Sequence, residues 1–361
     1  MDRRSFLKNS ALGGGAAAAA TLAAPAYAQG KRTLTMVTSW PRGFAGLADD
    51  AELLAANISE ISDGSLQVEV KHAGELVGAF ESFDAVSSGQ ADMYHAADYY
   101  FVNQHPAFGL FTAVPFGMTT TEMNAWYYSA GGMALHHELG EIFGLKSFLA
   151  GNTGAQAGGW FNKEINSPED LQGLKFRMPG LGGKALGYLG VSVQNLPGGE
   201  IYQALSSGAL DGAEWVGPWL DEKIGFQEVA KYYYPASFQE PSAALSLATN
   251  LDVFNSLNPA QQRAIQVSSA SNNVTNASRF IVENGDALER LASGGTKLME
   301  FPDDVWDAFG EASQKLYAEF NEDEMFKKIF DSYMASMKNT TGWISRSSDA
   351  YRRQRDRVMG L

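Results

Sequence analysis

The polar residues best placed for chemistry lie between positions 156 and 240, set among aromatic side chains. Arg177 closes the run Leu174-Lys175-Phe176-Arg177 just before Pro179 and Gly180. A strand that ends in a proline-glycine turn faces a cleft more readily than a core. A guanidinium there offers a planar fork that matches a carboxylate through two parallel hydrogen bonds. The bland alternative is a surface arginine paired with a neighbouring acid. Glu214 and Trp215 stand in the apolar stretch 213–216, and Glu240 follows Tyr232-Tyr233-Tyr234. Carboxylates in such desolvated surroundings must be protonated, paired with a cation or bound to a metal. Gln156 adds a neutral oxygen, and the resulting all-oxygen set suits a hard cation such as Na⁺ or Ca²⁺. Tyr99, Tyr100 and Phe101 follow a third strand, where ligand-contacting loops of parallel sheets sit. Trp160, Trp215 and Trp219 supply flat apolar walls, although core packing is the commoner fate of any single aromatic.

Searches for catalytic machinery return little. His136-His137-Glu138-Leu139-Gly140 lacks the second histidine of a zinc-protease helix, because positions 140 and 141 are glycine and glutamate. The five histidines (72, 95, 105, 136 and 137) therefore read as surface or packing residues. Gly190-Val191-Ser192-Val193-Gln194 lacks the second glycine of a nucleophile elbow. With no cysteine, thiol catalysis, disulfides and Cys-based metal sites are excluded. Gly180-Leu181-Gly182-Gly183-Lys184-Ala185 fits the loose dinucleotide pattern Gly-x-Gly-x-x-Ala after a strand. Met178 and Ala185 rule out a Walker loop. This motif leaves one enzymatic alternative, an exported oxidoreductase holding its nucleotide tightly.

Positioning these groups falls to alternating strands and helices. Residues 33–38 read as a buried strand, and Leu47, Ala51, Leu54 and Ile58 recur at helical spacing. Residues 66–70 alternate as a half-buried strand, a short helix passes through Phe80, Phe83 and Val86, and residues 91–95 form a third strand. This order predicts an α/β lobe with a largely parallel sheet. Helix is expected over 121–139, capped by Thr121, then a strand over 145–149 and a crossing at residues 151–154. A second lobe follows, with strands at 158–162, 174–178, 191–195 and 213–216 and helices at 184–189 and 200–207. Residues 243–249 return to the first lobe. Residues 258–292 form one long helix, with Pro259 in the first turn after Asn258, long enough to bridge both lobes. The chain ends in a basic helical tail carrying Arg352, Arg353, Arg355 and Arg357.

The first 28 residues place the protein outside the cytoplasm. Arg3-Arg4 precedes an alanine- and glycine-rich stretch and then Ala26-Tyr27-Ala28, the layout of an export signal of the twin-arginine type. Its removal takes away Arg3, Arg4 and Lys8 but only Asp2, so the formal charge moves from −14 to −16. That acidity argues against nucleic acid or anionic lipid as partner. Function in a periplasm-like space has no soluble ATP or NAD to draw on.

The chain resembles the solute-binding proteins of tripartite ATP-independent periplasmic (TRAP) transporters, of the dicarboxylate-binding-protein family. The resemblance is carried by Gly74-Glu75-Leu76-Val77, by residues 80–89 (Phe80-Glu81-Ser82-Phe83 onward), by Val114-Pro115-Phe116-Gly117-Met118, by residues 171–177 and by residues 204–214. Residues 199–218 and the Tyr-Tyr-Tyr-Pro run are closest to the branch that binds 2-oxo and 2-hydroxy monocarboxylates. The resemblance implies a non-enzymatic receptor with two α/β lobes, mostly parallel sheets, an interlobe cleft and long helices crossing both lobes. The lobes would take residues 29–152 and 153–242, with 243–361 returning to the first lobe and supplying the long helices and tail. It further implies that Arg177 holds the substrate carboxylate and that a metal is bound by Gln156, Glu214, the Trp215 carbonyl and Glu240. Tyr100 would touch the ligand, with Asn152 beside it. Phe238 stands where the branch has a tryptophan, a smaller wall that implies a different side group on the ligand. Membrane subunits encoded elsewhere are the implied partners, and C-terminal helices can be exchanged between two copies in a homodimer. A small acid of six or seven non-hydrogen atoms has an affinity ceiling of about −9 to −10 kcal/mol. Micromolar binding, about −8 kcal/mol, approaches that limit, and chelation through an ion is a way to reach it.

Overall fold

The computed structural model describes residues 31–361, so the export signal lies outside the described residues. The chain begins with β1 (Arg32–Thr38), α1 (Ala48–Ile61), β2 (Leu66–Lys71), α2 (Ser82–Ser87) and β3 (Met93–Ala96). Helix α1 buries Ala51, Leu54 and Ile58 and carries Asp49 and Asp50 in its first turn, where the helix dipole favours negative charge. Then come α3 (Thr120–Ser129), α4 (Gly132–Ile142) and β4 (Leu145–Asn152). The cap of α3 is Thr119, not Thr121, because Glu122 sits at the spacing that closes a capping box with Thr119. The helical stretch expected over 121–139 is divided into two helices at Gly131, whose φ is 93°.

After β4 the chain forms β5 (Gly159–Phe161), β6 (Lys175–Arg177), α5 (Gly180–Tyr188), β7 (Ser192–Gln194), α6 (Gly198–Ser206) and β8 (Gly212–Ala213). Helices α7 (Pro218–Ile224) and α8 (Phe226–Val229) precede β9 (Tyr232–Tyr234). The chain then returns as β10 (Ala244–Asn250) and continues through α9 (Leu251–Ser256), α10 (Pro259–Ser293), β11 (Lys297–Leu298), α11 (Asp303–Phe320), α12 (Glu324–Ile344) and α13 (Ser348–Met359).

Two sheets result, in the orders β2-β1-β3-β10-β4 and β11-β9-β5-β8-β6-β7. The two-sheet α/β architecture agrees with expectation, but the sheets are mixed instead of mostly parallel. Strands β2, β1 and β3 run parallel, whereas β10 is antiparallel to both β3 and β4. The cause is connectivity: β4 leaves the first sheet and β10 re-enters beside it, so the two must run in opposite directions. Strand β5 is likewise antiparallel to β8 and β9.

The crossings are tied to one another and to α10. Thr153 N–H donates to the Ala243 carbonyl at 3.0 Å, and Ala243 N–H to the Gly154 carbonyl at 3.2 Å. Helix α10 starts on a capping box between Asn258 and Gln261. Its 35 residues span about 52 Å at 1.5 Å per residue. Three of its asparagines meet backbone groups of other segments. Asn272 donates to the Ala150 carbonyl at 2.7 Å, while Asn276 accepts from Asn152 N–H at 2.9 Å and donates to the Gly46 carbonyl at 2.9 Å. Asn284 accepts from Trp219 N–H of α7 at 3.1 Å. One helix thus ties β4 of the first sheet to α7, the helix that follows β8 of the second.

Candidate functional site

Strand β6 ends at Arg177, and β8 delivers Glu214 immediately beyond Ala213. Because β6 and β8 pair in parallel, Arg177 lies beside Ala213 and the two side chains meet. The guanidinium Nη1 donates to Glu214 Oε2 at 3.0 Å and to the Glu214 carbonyl at 2.7 Å, and Nε donates to the Leu196 carbonyl at 3.1 Å. Its plane lies over the Trp215 ring, 5.2 Å from the centroid. Arg177 and Glu214 are both fully buried, so the surface ion pair considered from sequence does not occur. Glu240 enters from the next crossing, where its carbonyl accepts from Gln156 N–H at 3.0 Å.

The hydrogen-bonding capacity left over defines the site. Arg177 Nη2, Gln156 Oε1, Glu214 Oε1 and Glu240 Oε2 are all buried, and none has a partner among the described residues. Buried polar atoms are almost always paired, so a cluster of orphans marks a place built for something else. One free N–H-bearing arm of a guanidinium calls for an anion, and three free oxygens call for a cation. No three His, Cys, Asp or Glu side chains converge among the described residues. A cation would therefore rest on two carboxylates and neutral oxygens, the donor set that suits Na⁺ or Ca²⁺.

Electrostatics agree with an incomplete site. Burial, reinforced by Glu240 and only partly offset by Arg177, holds the Glu214 carboxyl well above the usual range. Burial likewise pushes Glu240 up to about 8 despite Arg177. For Arg177 burial acts downward, yet Glu214, Tyr100, Tyr99 and Glu240 more than offset it and keep the guanidinium charged. One cation among these acids cannot stabilise both carboxylates in ionised form.

The first lobe supplies the cover. Tyr99 and Tyr100 lie in a 3-10 turn, Asp98–Phe101, after β3. Burial raises the Tyr100 phenol to about 12, opposed by the facing Arg177, and raises Tyr99 well above 10 with Glu240 adding to it. Tyr100 packs on Phe80, 4.8 Å between centroids, and on Trp40 at 6.1 Å. The lobes touch around the site: Phe116 N–H donates to the Phe238 carbonyl at 2.7 Å. Phe116 holds a φ of 51°, a left-handed backbone that a non-glycine residue adopts only when its surroundings enforce it.

The glycine-rich motif belongs to this contact and not to a nucleotide. Gly180 has φ +64°, and a Cβ there would lie 2.7 Å from the Tyr99 ring. Cβ atoms at Gly182 and Gly183 would meet Gln239 at 2.5 Å and the Met178 carbonyl at 2.2 Å. Close packing against Tyr99, Gln239 and Met178 thus accounts for all three glycines without a nucleotide.

Other expectations are corrected by packing. Asn152 Nδ2 donates to Ser242 Oγ at 3.0 Å and its Oδ1 accepts from Gly154 N–H at 2.8 Å, so its side chain is committed to the crossing rather than to a ligand. The Phe238 ring stacks on Phe309 of α11 at 4.2 Å and helps line an apolar void with Phe161, Phe176 and Met178, to which Arg177, Glu214 and Glu240 do not contribute. It is therefore a seam between β9–β10 and α11, not a wall at the guanidinium. Trp219 packs on Phe280 and Trp160 stacks on Tyr233 in the second sheet, leaving Trp215 as the indole against Arg177. The histidines do serve packing: His136 Nε2 lies 2.8 Å from Asp98 Oδ2 with both fully buried, and His95 Nδ1 accepts from Trp40 Nε1 at 2.9 Å. Asp221 is the site neighbour that sequence did not disclose. It is fully buried on α7 and accepts from Trp160 Nε1 at 2.9 Å and from Val216 N–H at 3.2 Å.

Two sheets bracing an enclosed, charge-lined site define a two-lobed solute receptor. Residues 45–323 match the model of bacterial extracellular solute-binding protein, family 7, and the chain belongs to that family. It is 40% identical over 309 residues, 85% of each chain, to the monocarboxylate 2-oxoacid-binding periplasmic protein of Nostoc sp.. Its fold matches that of a TRAP periplasmic solute-binding protein from Pseudoalteromonas atlantica solved with bound sodium and pyruvate, with TM-score 0.87, 38% identity and coverage of 90% of this chain and 99% of that one. A Bordetella bronchiseptica TRAP solute-binding protein, solved as a mixed-occupancy dimer with calcium and picolinate, matches with TM-score 0.89 and 33% identity over 91% of this chain and 98% of that one.

Proposed function

We propose that this chain is the periplasmic receptor of a TRAP transporter, that it binds a 2-oxo or 2-hydroxy monocarboxylate such as pyruvate or lactate together with Na⁺ or Ca²⁺, and that it hands the acid to membrane subunits. The observation that carries the reading is the set of buried orphans: one guanidinium arm, Arg177 Nη2, beside three oxygens of Gln156, Glu214 and Glu240. The acid's carboxylate would take the guanidinium, and the oxygens, joined by the Trp215 carbonyl, would hold the cation. A bound cation would supply the positive charge that two buried carboxylates lack. Tyr100 covers the ligand from the first lobe, and Asn152 acts through the crossing it ties. Touching both lobes is what lets a ligand favour the closed arrangement, because only differential contact shifts a population. No residue has a catalytic role in this reading, and export follows the twin-arginine route.

Isothermal titration with pyruvate, after chelator treatment and then with CaCl₂ or NaCl restored, tests it. Micromolar binding that needs the cation is expected. Binding that persists after chelation in sodium-free buffer, or a stoichiometric nucleotide released from purified protein, would overturn it.

The reading extends to a homodimer through the C-terminal helices. Helix α13 buries none of its residues, and Trp343, Tyr351, Val358 and Met359 are all at least two-thirds exposed. Apolar surface of that kind on a basic helix calls for a cover. Light scattering should give a dimer for the full chain and a monomer once residues 345–361 are deleted.

A further inference from the structure

We infer that Asp221 is the positioning residue of the cation site, fixing the direction of the Trp215 carbonyl through the peptide plane that this carbonyl shares with the Val216 N–H. The inference rests on the proposed reading that this carbonyl is a cation ligand. Asp221 has no exposed surface, and its carboxyl faces N–H donors: Trp160 Nε1 on Oδ2, Val216 N–H on Oδ1, and the Gly217 N–H beside them. It forms no ion pair among the described residues, and burial pushes its carboxyl up to about 7, only partly offset by its N–H donors and by Arg177. Burying a carboxyl group without a paired cation is costly, and a helix start such as that of α7 can be capped by a neutral side chain. Its presence there needs a reason beyond capping.

Peptide geometry supplies one. The bond between Trp215 and Val216 is planar and trans, so its C=O and N–H lie in one plane and point in opposite directions. Holding Val216 N–H on Asp221 Oδ1 therefore aims the Trp215 oxygen away from α7. The peptides on either side are held independently. Arg177 Nη1 donates to the Glu214 carbonyl at 2.7 Å, and the Val216 carbonyl accepts from Ala157 N–H at 2.9 Å. The Trp215 carbonyl itself accepts no backbone N–H among the described residues. A carboxyl oxygen accepting from the N–H also polarises the carbonyl across the same plane, since linked hydrogen bonds reinforce one another. Asp221 thus links the structure of α7 to the strength of one cation ligand.

Asp221→Asn separates this from a merely structural role. The side chain keeps its shape, but its NH₂ cannot accept, so either Val216 or Trp160 loses its acceptor. Titrated with CaCl₂ in the presence of pyruvate, Asp221→Asn should bind calcium about 10- to 100-fold more weakly, the range for groups that orient metal ligands. Trp160→Phe, which leaves the Val216 contact in place, should lose less than about threefold on the same logic. A second measurement uses the wild-type chain, in case the variant does not fold. Trp215-Val216 is the sole Trp-Val pair in the sequence, so ¹³C-carbonyl Trp with ¹⁵N-Val labels one peptide plane. Its cross-peak should move when CaCl₂ and pyruvate are added. Calcium affinity unchanged in Asp221→Asn, or a stationary cross-peak in a wild-type protein that binds, would overturn the inference alone. Cation-independent or absent pyruvate binding in the wild type would overturn the functional reading, and the inference with it.

Discussion

Replacing Arg177 with alanine will abolish detectable pyruvate binding while the protein still folds. The guanidinium is the one buried cation among Glu214, Glu240 and Asp221, and Nη2 is its arm without a partner. Truncating one partner of a buried, hydrogen-bonded charge pair costs about 2–5 kcal/mol of binding, partly because the other charge is left stranded. A loss in the upper half of that range, about 4–5 kcal/mol, moves a micromolar site to roughly millimolar, beyond calorimetric detection. The apo protein should lose stability as well, since breaking a buried pair typically costs about 3–5 kcal/mol. Glu214 can moderate that cost by holding its proton, which its raised carboxyl already favours. Arg177→Lys keeps the charge but not the planar fork, and should fall between wild type and Arg177→Ala. Pyruvate affinity within tenfold of wild type in Arg177→Ala would remove the guanidinium from the site.

Much of the fold follows from short-range pattern. The spacing of Leu47, Ala51, Leu54 and Ile58 marks α1, and Asn258 before Pro259 marks the start of α10; both depend on residues within a few turns of one another. Arg177 and Glu214 were readable for a related reason, since each stands where an apolar strand gives out. Parallel pairing of β6 and β8 then brings them within 3.0 Å. Failures came where a residue's partner is distant in sequence. Asn152 is claimed by Ser242, and Phe238 by Phe309 on a helix that a local reading cannot bring to its side. Asp221 carries no motif, and its place in the site appears only when Trp160 of β5 is set against it.

Glycines show the same limit from the other direction. Gly180, Gly182 and Gly183 satisfy a phosphate-loop pattern because both a phosphate and a neighbouring side chain require a missing Cβ. Sequence cannot say which neighbour fills the gap, whereas the fold puts Tyr99, Gln239 and Met178 there. The strand expected over 213–216 shortens to the two-residue β8, and the mixed sheets were illegible for a topological reason, because strand direction follows from where the chain crosses between sheets.

Stability and ligand affinity should respond to pH with opposite signs between pH 7 and 9. In the apo protein burial pushes the Glu240 carboxyl up to about 8, against 4.5 for the exposed group of an unfolded chain. The folded state therefore binds more protons than the unfolded state across that interval, and stability falls as pH rises. Glu214, held well above its ordinary range, acts in the same direction, as does Asp221 at about 7. His95 and His137, pushed down to about 4 and about 3 by burial, act oppositely, but only below their unfolded value near 6.5. Above pH 7 they are neutral in both states and drop out. A single fully shifted group changes stability by about 1.4 kcal/mol per pH unit, so the apo melting temperature should fall by several degrees from pH 7 to 9. Cation binding needs the carboxylates ionised, and apparent calcium affinity should therefore rise about tenfold per pH unit for each proton displaced, until Glu240 is deprotonated. Differential scanning fluorimetry across this range, with chelator and then with CaCl₂ and pyruvate, reads both slopes at once. Parallel slopes would mean that Glu214 and Glu240 do not bind the cation. Glu240→Gln should flatten both slopes, because the neutral amide has no proton to exchange at the position where cation and proton compete.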